Sequence, residues 1–147
     1  MGRFKCLRKL PYKVSMTTTP NVPVSWGELL DKITILQIKA ERMDDATKRT
    51  NVVTELTLLS DIAGSALKEA AGLVGDLKGI NEALWDIEDK IRDKELAGAF
   101  DAEFIELARA VYFTNDRRAA VKRQINLALN SALVEEKSYK PYAPGAQ

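Results

Sequence analysis

The chain of 147 residues carries 22 Lys and Arg against 21 Asp and Glu, a formal charge of +1, and 46% of it is apolar, which describes one globular domain. With no histidine, Ser-His-Asp triads, histidine general bases and histidine-ligated metals are excluded, and the single Cys6 excludes an internal disulfide or a cysteine metal cluster. No metal and no cofactor is implied, and no stretch approaches the roughly 20 apolar residues that span a bilayer.

The charge is unevenly placed. Arg3, Lys5, Arg8, Lys9 and Lys13 all precede the first acidic residue, Glu28, which leaves 17 cations against 21 acids in residues 25–147. Residues 1–24 therefore read as a disordered basic tail. They lack the apolar run of a secretory signal, so the expected location is cytoplasmic. Met16 is read as the initiator, with residues 1–15 an extension. The alternative is an electrostatic arm for anionic lipid or nucleic acid, but no aromatic residue interleaves the cations, and the acidic body argues against a nucleic-acid partner.

From Ser25 onward the pattern is helical. Ser25-Trp26-Gly27-Glu28 has the spacing of a capping box, in which the Ser hydroxyl and the Glu carboxylate each satisfy a free backbone N–H. The first helix then carries Leu29, Ile33, Leu36, Ala40 and Met43 at steps of three and four. Ile35 and Ile38 fall on its opposite face, so this helix is either central or presents that face to a protein partner or a second copy. Asp44 or Asp45 caps a second helix whose stripe runs from Val52 to Leu73, ending at Gly72 and Gly75. Asp76 begins a third, with Leu77, Ile80, Leu84, Ile87 and Ile91 inward and Gly98 as its stop. Asp101 caps a fourth, from about Ala102 to Leu133. Short connections between long helices predict an all-α, antiparallel up-down bundle of about four helices, or a long-armed variant of one. The bundle domain spans 25–134 and an irregular tail follows from 135 to 147.

The fourth stripe turns polar in its middle. Beyond Phe104, Ala108 and Val111, the same steps reach Asn115, Arg118 and Lys122 before Leu129. Unpaired charges aimed at a core would cost several kcal/mol each, so these cations require anionic partners. The third helix offers Asn81, Trp85, Glu88, Arg92 and Glu95 along the edge of its apolar stripe, with Glu88 as the expected counter-ion. On the first helix Lys32 and Lys39 flank the apolar stripe and Asp31 points the other way. Asp116 and Arg117 read as a solvated pair. The candidate site is thus Glu88, Arg92, Asn115, Arg118 and Lys122, with Asp31, Lys32, Lys39, Asn81, Trp85 and Asp116 as secondary members. It is either an ion-pair network that sets helix register or a pocket for an anionic small molecule, where Arg offers a planar fork to carboxylate or phosphate.

The segments VSWGELLDKITILQIKAER, NEALWDIEDKIRDKE, FIELARAVYFTNDRRAAVKRQIN and SALVEEKSY resemble, in this order, those of a family of small bacterial helical proteins classed as a domain of unknown function. The resemblance runs from about Pro23 to Tyr139. It implies a bacterial, cytoplasmic, helical protein, and the related GEhhDKhTIhxIK pattern (h, hydrophobic) implies a setting in surface-polysaccharide and glycosyltransferase systems. It brings no catalytic residue. Two functions remain: a non-enzymatic interaction or ligand-binding module, or a small all-α enzyme acting on an anionic metabolite (carboxylate, phosphate or nucleotide sugar), by architectural analogy with helical chorismate mutases.

Overall fold

In the computed structural model the described residues are 19–140 and Tyr142. They form five helices, α1 (Trp26–Arg42), α2 (Ala46–Ala63), α3 (Ala66–Glu69), α4 (Ala71–Ala97) and α5 (Ala102–Ala128), with no strand among the described residues. Among the described residues no helix is long and apolar enough to cross a membrane. The reading of residues 1–15 lies outside the described residues; residues 19–24 are exposed and non-helical.

The helix starts follow local chemistry. Ser25 Oγ accepts the Glu28 N–H at 3.2 Å, Asp45 accepts the Lys48 N–H at 2.9 Å and Asp101 accepts the Phe104 N–H at 3.0 Å. The capping box is only half made, because the Glu28 carboxylate turns away to Lys122.

The break after α2 is not where the glycines suggested. It falls at Gly64, whose φ of 53° few L-residues adopt, while Gly72 and Gly75 lie inside α4. A glycine inside a helix costs only about 1 kcal/mol relative to alanine, less than α4 recovers by packing Leu73, Val74 and Leu77 on the core. The corner at Gly64 lets the small residues Ala63, Ala66 and Ala70 all bury. α5 stops five residues earlier than its expected end at Leu133. Asn130 takes a left-handed φ of 49°, and the Ser131 N–H returns to the Asn126 carbonyl at 2.8 Å, closing the helix in a Schellman turn.

α4 and α5 form an antiparallel hairpin, and α1 lies on its base, packed against α2 on its other side. The all-helical class holds, but the packing is centred on α1 rather than shared among four equivalent helices. Leu30, Ile33, Leu77 and Ile125 are fully enclosed at the junction of α1, α4 and α5. Ile38 is 1% exposed, so it belongs to the interior of the chain and is not the partner-facing residue its spacing allowed; Ile35 is half-buried beside it. Past Leu84 on α4 and before Thr114 on α5 nothing is buried, so the far half of the hairpin is a two-helix arm. Lys94 clasps its tip by pairing with Asp101 and Glu103.

Candidate functional site

Asp31 organises the interior. Its side chain is 2% exposed, a position that costs several kcal/mol for a carboxylate unless donors surround it. They do: Arg118 donates through Nε at 3.0 and 3.2 Å to the two oxygens and through a terminal nitrogen to Oδ2. Asn81 Nδ2 donates to Oδ1 at 2.8 Å, and Lys122 Nζ stands 3.7 Å from Oδ2. Asn81 also donates to Thr34 Oγ1 at 2.9 Å, and Thr34 donates to the Asp31 main-chain oxygen at 2.8 Å. With both amide protons used, the oxygen of Asn81 is the atom it has left to offer.

Hydrogen bonding to Asp31 raises the Arg118 pKa above its ordinary value against an opposing effect of burial. For Lys122, burial is the largest single influence and pushes the pKa down. Hydrogen bonds to Glu28 at 2.6 Å and Glu135 at 3.0 Å, with the nearby charges of Asp31 and Glu28, overcome it and leave the net shift upward. Lys122 is therefore a structural cation tying α1, α5 and the C-terminal segment together.

The start of α1 is held against the end of α5 by two acceptors. Beside the Ser25 cap, Asn126 Oδ1 accepts the Gly27 N–H at 2.6 Å and Ser131 Oγ accepts the Trp26 N–H at 3.2 Å. This leaves few free donors at the helix N-terminus. The approach is so close that a Cβ on Gly27 would lie 2.5 Å from the Lys122 carbonyl oxygen.

On the other side of Arg118 lies an open cleft of about 330 Å³ between α1, α4 and α5. Ile35, Ile38, Leu84 and Trp85 make its apolar wall, and Lys39, Asn81, Glu88, Asp89, Arg92, Asn115 and Arg118 supply the polar groups. Arg118 reaches it with the guanidinium edge not taken by Asp31, steadied by Asn115 Oδ1 at 3.4 Å. Asn115 itself donates to the Val111 carbonyl at 3.0 Å. Trp85 is covered on one side by the Arg42 guanidinium, 5.9 Å from the ring centroid. Lys39 has no anionic partner among the described residues, whereas Arg92 pairs with Glu88 at 3.5 Å.

A family model covers residues 20–145 of the chain. The chain belongs to the family of unknown function DUF6165. No curated protein and no solved structure matches it.

In this DUF6165 chain, seven of the eleven residues singled out by periodicity meet at the cleft: Lys39, Asn81, Trp85, Glu88, Arg92, Asn115 and Arg118. Four do not. Lys122 and Asp31 lie behind Arg118 in the inner network, Lys32 pairs with Glu55 of α2 at 2.8 Å, and Asp116 accepts the Tyr142 hydroxyl at 2.7 Å. The expected counter-ion is corrected as well. Glu88 is 45% exposed and bonded along its own helix, and Asp31 takes the role instead, because α1 buries residues on both of its sides. Sequence reasoning gave Glu28 only a capping role and missed Asn126, Ser131 and Glu135. Only Asn126 left a trace, as an amide where the α5 stripe should be apolar.

Proposed function

We propose that this protein is a non-enzymatic binding module whose cleft takes an anionic small molecule bearing a carboxylate or phosphate. The observation that carries the reading is the pair of cations at the cleft. Lys39 is half-buried and unpaired among the described residues, and Arg118 is fixed by Asp31 on one edge with its other edge toward the opening. A guanidinium held in this way is preorganised, so a ligand oxygen loses little freedom in meeting it. Trp85, Ile35 and Leu84 give the body of the ligand an apolar wall, the usual composition of a small-molecule site. Asp31 and Arg118 are committed to each other and Glu88 to Arg92, which favours binding over catalysis.

The test is the thermal midpoint of the purified chain against a panel of carboxylates, phosphates and nucleotide sugars. A ligand present at 100 times its Kd should stabilise the native state by about 2.7 kcal/mol. Lys39→Ala should fold normally and lose the shift. A full panel without any shift, or a shift unchanged in Lys39→Ala, would overturn the proposal.

A further inference from the structure

After α5 the chain turns back along it. Residues 131–140 have no regular secondary structure, and residues 132–140 are all exposed. The segment contributes nothing to the core, and the end of α5 is already closed by the Asn130–Ser131 turn. Polar contacts hold it: Glu135 to Lys122 at 3.0 Å, and Glu136 to Arg123 Nη1 at 3.0 and 3.1 Å. Further along, Tyr142 donates to Asp116 at 2.7 Å, and its ring lies 4.9 Å from that of Phe113 and 5.4 Å from that of Tyr112. The order of these contacts makes the segment antiparallel to α5.

Two cations of α5 face it, the buried Lys122 and the exposed Arg123, and each pairs with one of the segment's adjacent carboxylates. Ala119 and Ala120 leave a shallow floor, and about 210 Å³ of open space remains between segment and helix, lined by Lys122, Arg123, Asn126 and the segment's own Glu135, Glu136 and Lys137. The groove is thus larger than its occupant. Solvent-exposed ion pairs such as Arg123–Glu136 contribute little in water and exchange readily.

We propose that the α5 surface from Asp116 to Asn126 is a docking groove for an extended acidic peptide of a partner protein. That peptide carries two adjacent carboxylates with an aromatic residue six positions after the second. The chain's own Glu135, Glu136 and Tyr142 are the internal occupant that it displaces. Lys122 holds the Glu135 carboxyl below its ordinary pKa, so the anionic form is the one the groove selects. Tethering gives the internal segment an effective concentration on the order of millimolar, which masks the groove from weak competitors.

A fluorescent peptide of residues 131–142 tests this on the full chain. Against a Glu135→Lys/Glu136→Lys/Tyr142→Ala chain, whose own segment no longer fits, it should bind at least tenfold tighter than against the unmodified chain, and binding should weaken with salt. Adding Arg123→Glu to that chain should abolish it, as should Lys at both acidic positions of the peptide. Circular dichroism should be unchanged in every variant, since the altered residues are exposed. Equal affinity for both chains, binding to neither, or indifference to the peptide's charge would overturn the proposal. So would concentration-dependent dimerisation of the unmodified chain that the charge-reversed segment prevents, because the occupant would then be a second copy.

Discussion

Arg118 of α5 grips the carboxylate of Asp31 of α1 with Nε and a terminal nitrogen, across 87 positions of sequence, while Lys122 one turn later approaches the same carboxylate. This pairing holds α1 against the hairpin and also aims Arg118 at the cleft.

Breaking it from one side leaves an enclosed charge. Asp31→Asn and Arg118→Leu should each destabilise the chain by about 3 kcal/mol in urea unfolding, since an orphaned buried ion loses more than the pair gained. The Asp31→Leu/Arg118→Leu double variant should fall short of the sum of its single changes by at least about 1.5 kcal/mol. Strict additivity would show that the two residues do not act as a unit.

The glycines inside helices divide into two kinds. At Gly27 an added methyl meets the backbone of α5 at 2.5 Å, so Gly27→Ala should cost roughly 1–3 kcal/mol despite alanine's better helix propensity. At Gly72, Gly75 and Gly79 a Cβ meets nothing within 4 Å, and each Ala variant should gain about 0.5–1 kcal/mol. Chemical denaturation of the four variants separates the classes by sign.

Asn126 supplies an acceptor that nothing else at the α1 terminus replaces. Asn126→Ala should cost about 1–3 kcal/mol by leaving the Gly27 N–H buried and unmet. Asn126→Asp should recover most of that, because it restores the oxygen and puts a negative charge at a helix N-terminus. Amide exchange at Gly27 should accelerate in the first variant and return toward normal in the second.

The C-terminal segment should respond to acid. Because the folded pKa of Glu135 lies below its ordinary 4.5, its contribution is present above that value and is lost as pH falls through the lower, folded one. Titration followed by NMR should show residues 132–140 still docked at pH 5 and released only after the pH has fallen below the ordinary carboxylate value, while Glu135→Gln should loosen the segment already at pH 7.

Much of the fold was legible because it rests on local rules. The caps at Ser25, Asp45 and Asp101 and the stop at Gly98 are short-range hydrogen-bond requirements, readable wherever the right side chain precedes an apolar period. Gly72 and Gly75 misled, because a helix tolerates glycine when its neighbours are packed, and the true break at Gly64 needed the corner to be seen. The polar residues of α5 were legible as an anomaly, but their partners were not.

The sequence by itself determined that the chain is helical, where most helices begin, and that Arg118 and Lys122 must find anions away from bulk water. It also brought out most of the residues that line the cleft, since these share helix edges. Only the tertiary structure decided that the anion is Asp31 rather than Glu88, that Ile38 is interior, and that residues 131–140 and Tyr142 return along α5. Periodicity reports the face of one helix, whereas a counter-ion is chosen by how two helices cross. That crossing is set by packing between residues nearly a hundred positions apart, down to the missing methyl of Gly27.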